Sequence, residues 1–253
     1  MLLQPQGGIT YGPVRSRRLG SSLGINLLPA GRKLCNFDCL YCQYGWTDPS
    51  LAAVTAAAEF PQVDRVLEAV AARLHDLPET PRFLTFSGNG EPTLHPRFGD
   101  LVDGVAALRD RLAPAARTAI LSNSSRVGIP EVRDALARLD VRIMKLDAGS
   151  ETGFERYNRP AGGLGIDEIC EGLSALPDTT LQALFTAGPA GNLAEEEIEA
   201  WLGRVASIRP RAVQIYSLDR GVPCDRIAPA AREQLEEIHS RLAALGVAAD
   251  VYP

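Results

Sequence analysis

LGINLLPAGRKLCNFDCLYC, residues 23–42, is the stretch on which the reading of this chain turns. Leu23 to Leu28 is a short apolar run of the kind that forms a strand buried on both faces, and polar residues follow where a loop must begin. The same order recurs along the chain. Candidate strands at Phe83 to Phe86, Thr118 to Leu121, Arg142 to Leu146, Leu181 to Phe185 and Val213 to Tyr216 each run into small or polar residues, and Val247 to Tyr252 offers a final one. Helical periodicity covers Val63 to Leu74, Arg97 to Leu112, Pro130 to Leu139, Ile166 to Ala175, Ala194 to Ile208 and Ala231 to Leu245. Acidic residues at helix starts, such as Glu131, Asp167, Glu168 and Glu195, suit the positive end of the helix dipole. Six such βα units predict an α/β fold, a doubly wound sheet or a partial barrel, and in both the ligand binds at the carboxyl ends of the strands.

Chemically informative residues gather at those ends. Cys35 to Cys42 follow the first strand, Ser87 to Glu91 the second, Ser122 to Ser125 the third and Asp147 to Ser150 the fourth. Cys35, Cys39 and Cys42 are spaced C-x3-C-x2-C. Thiolates this close hold a soft metal centre, and three of them leave one iron of a [4Fe-4S] cubane without a protein ligand. The alternative is a structural zinc site completed by Cys170, Cys224, His75, His95 or His239, although zinc ligands usually come as separated C-x2-C pairs.

In FSGNGEPTLHP, Gly88 and Gly90 let backbone approach a ligand, while strand-end carbonyls, Asn89 and Glu91 offer polar contacts, Glu91 as an acceptor for an ammonium group. Asn123 in LSNSS is either a ligand for hydroxyls or carboxylate or a turn residue. Lys145 and Asp147 alternate onto one face of their strand, where they pair with each other or reach the ligand. Lys33 reads as surface charge. Arg15, Arg17, Arg18, Arg32 and Lys33 concentrate positive charge around the first strand, in keeping with a carboxylate, a phosphate or a solvated loop. Arg156, Asn158 and Arg159 should hang over the mouth, with Tyr216, Asp219 and Arg220 lining its far side.

The chain has 253 residues and a net charge of -5, which slightly opposes general binding to nucleic acid. Its only lysines are Lys33 and Lys145. Five cysteines, three of them clustered, do not form the paired framework of a secreted protein, and with no apolar leader and no run of about 18 apolar residues the expected setting is cytoplasmic, without a membrane. Ala52 to Ala58 forms an alanine-rich connection after the cysteine loop, and no linker divides the chain.

The cysteine loop, with Tyr41 just before the third cysteine, resembles that of the radical S-adenosylmethionine superfamily. The resemblance implies that S-adenosylmethionine (SAM) chelates the open iron through its amine and carboxylate. Reductive cleavage would then give a 5'-deoxyadenosyl radical that abstracts hydrogen from a substrate. It further implies SAM contacts from Tyr41, Gly88, Asn89, Gly90, Glu91, Asn123 and Asp147, and an external one-electron donor of flavodoxin or ferredoxin type. The expected fold is a single domain over residues 1–253, a partial (β/α)6 TIM-like barrel of parallel strands, with residues 1–22 packed on or near its mouth.

YGPVRSRRLGSSLGIN, CQYGWT, KLDAGS, FERYNRP and QIYSLDR together look like a group of short iron-sulfur oxidoreductases related to the wyosine synthase of tRNA modification. In wyosine synthases a second cluster sits on cysteines upstream of the triad, whereas this sequence has no cysteine before Cys35. A modified tRNA base, a peptide, a glycyl-radical enzyme and a small metabolite remain open as substrates. The rival classes are a non-catalytic iron-sulfur module and a zinc-stabilised RNA-binding protein.

Overall fold

The computed structural model describes residues 2–47 and 60–252, so the alanine-rich Ala52 to Ala58 lies outside the described residues. Its main sheet has eight strands: β1 (Thr10–Ser16), β2 (Gly20–Ile25), β3 (Phe83–Phe86), β4 (Arg117–Ser122), β5 (Val141–Lys145), β6 (Thr179–Leu184), β8 (Ala212–Tyr216) and β10 (Ala249–Tyr252). They pair in that order, all parallel from β2 onward, and curl into a half-barrel. The partial TIM-like barrel expected from the sequence is the fold found. Two short strands, β7 (Thr186–Ala187) and β9 (Ala228–Pro229), pair separately.

Helices α1 (Val63–Asp76), α2 (Phe98–Leu112), α3 (Pro130–Ala137), α4 (Glu151–Tyr157), α5 (Ile166–Ser174), α6 (Glu195–Ile208) and α7 (Arg232–Ala244) accompany the strands. The two-residue period of the strands separates two environments. Leu23, Ile25, Leu84, Phe86, Ile120, Met144, Leu181, Val213 and Ile215 share one core with helix residues such as Val66, Leu101, Leu136 and Trp201. On the alternate positions, Phe83, Ala119 and Ile143 form a second apolar cluster with Leu19. Farther along the same strands come Thr85, Leu121, Lys145, Gln182 and Tyr216, and these line a cavity.

Besides the two-residue strands β7 and β9, β1 and α4 escaped the periodicity. Antiparallel β1 is interrupted by Gly12 and Pro13, where its register shifts between Tyr11 and Val14. Such a residue pair is tolerated at a sheet edge, where a missing N–H breaks no ladder. Helix α4 is only seven residues long and holds Gly153, but the Ser150 hydroxyl caps it by accepting from Gly153 N at 2.9 Å.

The β1–β2 turn reaches across to the far side of the sheet. Arg17 donates to Asp219 at 2.6 Å, beyond β8, and the Arg18 guanidinium lies 4.6 Å from the centre of the Tyr216 ring. Trp201 of α6, 1% exposed, locks the loop after β5 by donating to Leu146 O at 2.8 Å, with its ring edge-on to Phe185. Trp201→Ala should therefore lower the denaturant midpoint by the equivalent of about 3–5 kcal/mol, the usual range for deleting a buried aromatic, as read by equilibrium urea unfolding.

Candidate active site at the cysteine loop

The cysteine loop is sewn to three other segments by backbone hydrogen bonds. Leu34 N donates to Asn89 O at 2.7 Å and Glu91 N to Leu34 O at 3.2 Å, joining it to the loop after β3. Asp38 N donates to Asn158 O and Leu40 N to Tyr157 O, joining it to the end of α4, while Leu3 N donates to Gln43 O. Gly90 is required by this contact: its φ is +140°, and a Cβ there would sit 1.8 Å from Leu34 O. Lys33 is not surface charge but 7% exposed, because its ammonium donates to Gly45 O at 2.8 Å and closes the loop on itself.

Asp147 is the electrostatic centre of the mouth. Its side chain is fully buried and accepts from Leu184 N at 2.8 Å, from Asn158 Nδ2 at 2.9 Å and from the Tyr41 hydroxyl. Lys145 Nζ lies 3.2 Å from its other face and donates to the Tyr216 hydroxyl at 2.7 Å. Burial would lower the pKa of the Lys145 amine, but the Asp147 charge and the Tyr216 hydroxyl outweigh it and hold the amine protonated. Burial pushes the Tyr41 phenol well up, and Asp147 adds to the effect, so Tyr41 stays a hydrogen-bond donor.

Cys35, Cys39 and Cys42 all line one cavity of about 550 Å³. Among the described residues no three metal-ligating side chains are already drawn together, so the thiols face a common space without a closed protein site. Burial, then the Asp147 charge, pushes the Cys39 thiol up to about 11, and burial raises Cys35 further, so a cation must displace these protons for the sulfurs to act as thiolates. Asn158 Nδ2 lies 3.5 Å from Cys39 Sγ and Asn123 Nδ2 3.6 Å from Cys35 Sγ. Asn158 Oδ1 is buried with no hydrogen-bond partner among the described residues. This soft, hydrogen-bonded donor set fits an iron-sulfur cluster. Four of the candidate fourth zinc ligands have other surroundings: His95 bonds Pro61 O, His239 bonds Ala249 O, Cys170 contacts Arg204 and His75 is exposed beside Asp76, while Cys224 packs against the apolar cluster of Leu40, Tyr157 and Leu184.

Other expected residues divide. Gly88, Gly90, Glu91, Asn123, Arg17, Arg18, Tyr216, Asp219 and Arg220 line the same cavity. Glu91 does so with its oxygens already accepting from Thr93 N, Thr93 Oγ1, Ser122 Oγ and Asn123 N. Asn89 is fully buried and turned into the fold, donating to Gln6 O and Pro29 O and accepting from Gln6 N. Arg159 pairs with Asp38 and stacks on Trp46, and it lines a second cleft that Cys35 to Asp38 of the cysteine loop also line. Arg156 does not hang over the mouth but bonds Gly191 O, since on a helix it cannot share a face with Asn158 two residues on. Sequence reasoning missed Glu197, which accepts from Gly149 N, Ser150 N and Ser150 Oγ and so fixes the loop that carries Asp147. It belongs to the acidic run Glu195 to Glu197, which the sequence reads as a solvated helix start.

A sequence model described as the radical SAM superfamily matches residues 33–205. The chain belongs to that superfamily. Among curated relatives of this radical SAM chain, a UPF0026 protein of Methanocaldococcus jannaschii is 37% identical over 179 residues, covering 70% of this chain and 52% of the relative. The chain spans about half the length of the first curated relatives it matches, those of Methanocaldococcus and Helicobacter. Streptococcus suis SuiB bound to S-adenosylmethionine is similar in fold, with a TM-score of 0.64 and 11% identity over 91% of this chain and 50% of that one. TYW1 with a lysine-pyruvate adduct has a TM-score of 0.56 and 15% identity, covering 88% and 73% of the two chains. At these identities the solved structures establish shared fold alone, and the wyosine resemblance extends no further than that. No helix among the described residues is long and apolar enough to cross a membrane.

Asp147→Asn removes the buried partner of Lys145 and should destabilise the protein by about 3–5 kcal/mol, the range for breaking a buried ion pair. Urea unfolding of the variant checks this, and an unchanged midpoint would mean that the pair is immaterial. Gly90→Ala should displace the cysteine loop, making residues 30–47 newly sensitive to limited proteolysis.

Proposed function

We propose that this radical SAM enzyme holds one [4Fe-4S] cluster on Cys35, Cys39 and Cys42 and uses it to cleave SAM reductively. The observation that carries the reading is the opening of all three thiols into one cavity, with the Asn158 and Asn123 amides donating toward Cys39 and Cys35. Together the cluster and SAM would supply a 5'-deoxyadenosyl radical for hydrogen abstraction. The chain's own part is to anchor and shield. Gly90 and Lys33 fix the cysteine loop, the Asn123 and Asn158 amides donate toward two of the sulfurs, and the β1–β2 turn covers the cavity. Excluding water in this way prevents quenching of a reactive intermediate.

A wyosine-like reaction through a lysine adduct has less support. Lys145 is ion-paired with Asp147 and Lys33 donates to a carbonyl, so neither amine is a free nucleophile. A flavodoxin- or ferredoxin-type protein would supply the electron, and the setting would be cytoplasmic. Anaerobic reconstitution with iron and sulfide, followed by dithionite and SAM, should yield 5'-deoxyadenosine and methionine, and Cys39→Ala should abolish both. No product from a wild type with a full complement of iron, or equal product from the variant, would refute the reading. Asn158→Ala should lower the cluster's reduction potential, because a hydrogen bond to sulfur favours the more negative, reduced state, as read by potentiometric titration followed by EPR.

A further inference from the structure

The cavity is cationic in a chain whose net charge is -5. Arg15, Arg17, Arg18, Lys33, Lys145 and Arg220 line it, against Glu91 and Asp219. Several of these charges are already engaged: Lys33 closes the cysteine loop, and Arg17 and Arg220 lie against Asp219. Arg18 differs from them. Among the described residues no carboxylate pairs with it, and its guanidinium rests 4.6 Å from the centre of the Tyr216 ring. Lys145 Nζ approaches the same ring, at 4.9 Å from its centre, and spends two of its three N–H donors on Tyr216 and Asp147. Two cations thus converge on one tyrosine inside a cavity, with one buried carboxylate between them and the cysteine loop.

We propose that Arg18 and Lys145, both against the Tyr216 ring, form the subsite for a carboxylate or phosphate group of a small anionic substrate. The proposal rests on the radical SAM reading, since that reading makes this cavity the reaction chamber. A planar arginine fork beside a lysine point charge suits either anion. Lys145 is also 4.7 Å from the centre of the Tyr41 ring, the residue before Cys42, so the anchored substrate would lie next to the cysteine loop. A small molecule is favoured over RNA because the site lies inside a chamber of about 550 Å³, beneath the turn that Arg17 ties to Asp219. Phosphodiesters of a folded RNA would meet the outer arginines first.

The test is calorimetric titration of reconstituted, anaerobic protein with succinate and, separately, with inorganic phosphate, repeated with saturating SAM. Saturable 1:1 binding of one or both is expected, the stronger arm showing which anion the subsite takes, and added SAM should leave the affinity unchanged. Arg18→Gln should weaken binding about tenfold or more, the size of a lost charge-assisted hydrogen bond, whereas Arg232→Gln, which removes an exposed arginine on α7, should have no effect. No saturable binding, equal binding by Arg18→Gln, or displacement by SAM would overturn the proposal, the last by assigning the site to the cofactor's own carboxylate. Tighter, Arg18-dependent binding of tRNA than of either small anion would overturn it in favour of RNA. Measuring 5'-deoxyadenosine formation on the same preparation separates the two readings. Anion binding without cleavage retains the subsite and rejects the radical chemistry, and cleavage without anion binding does the reverse.

Discussion

The mouth of this half-barrel is organised around one buried carboxylate. Asp147 gathers Tyr41 of the cysteine loop, a side chain from the end of α4, the backbone of β6 and the amine of β5. A carboxylate removed from water is tolerated only when its oxygens are satisfied and its charge is met. Four partners from different parts of the chain meet that requirement, so the carboxylate orients four segments at once. Glu197 supports it from behind by holding Gly149 and Ser150, and Asn192 does so by donating to the Asp147 carbonyl at 2.8 Å.

The cysteine loop gains its order from this centre and from Gly90. Leu34 exchanges backbone hydrogen bonds with Asn89 and Glu91, which requires the two backbones to pass closer than any side chain at position 90 permits. The glycines after β3 therefore serve the cysteine loop directly, and Glu91 is held by four donors as a strut between β3 and β4. The same short motif docks the cysteine loop and lines the cavity into which the cysteines open.

Much of this was legible in the sequence because parallel strands announce themselves as continuous apolar runs. The apolar run Phe83–Phe86 coincides with β3, and the apolar runs of the other parallel strands overlap β2, β4, β5, β6, β8 and β10 with ends displaced by a few residues. Strand β1 was not legible, since Gly12 and Pro13 erase the alternation that marks a strand and only an edge position tolerates them. At the site, the sequence showed the ligand types but not their partners. Lys33 and Arg32 are adjacent in sequence, yet Lys33 turns inward to a carbonyl twelve residues on, a contact that no local pattern encodes. Asn89 and Arg156 carried the right chemistry in the right loops and point elsewhere, because side-chain direction depends on tertiary packing.

The central claim is that three cysteines leave one iron for SAM. Its most direct measurement is the EPR spectrum of the dithionite-reduced, reconstituted protein with and without SAM. The account predicts a [4Fe-4S] signal whose g values shift when SAM is added, because the cofactor enters the coordination sphere of the open iron. A cluster signal that SAM leaves unchanged would contradict it.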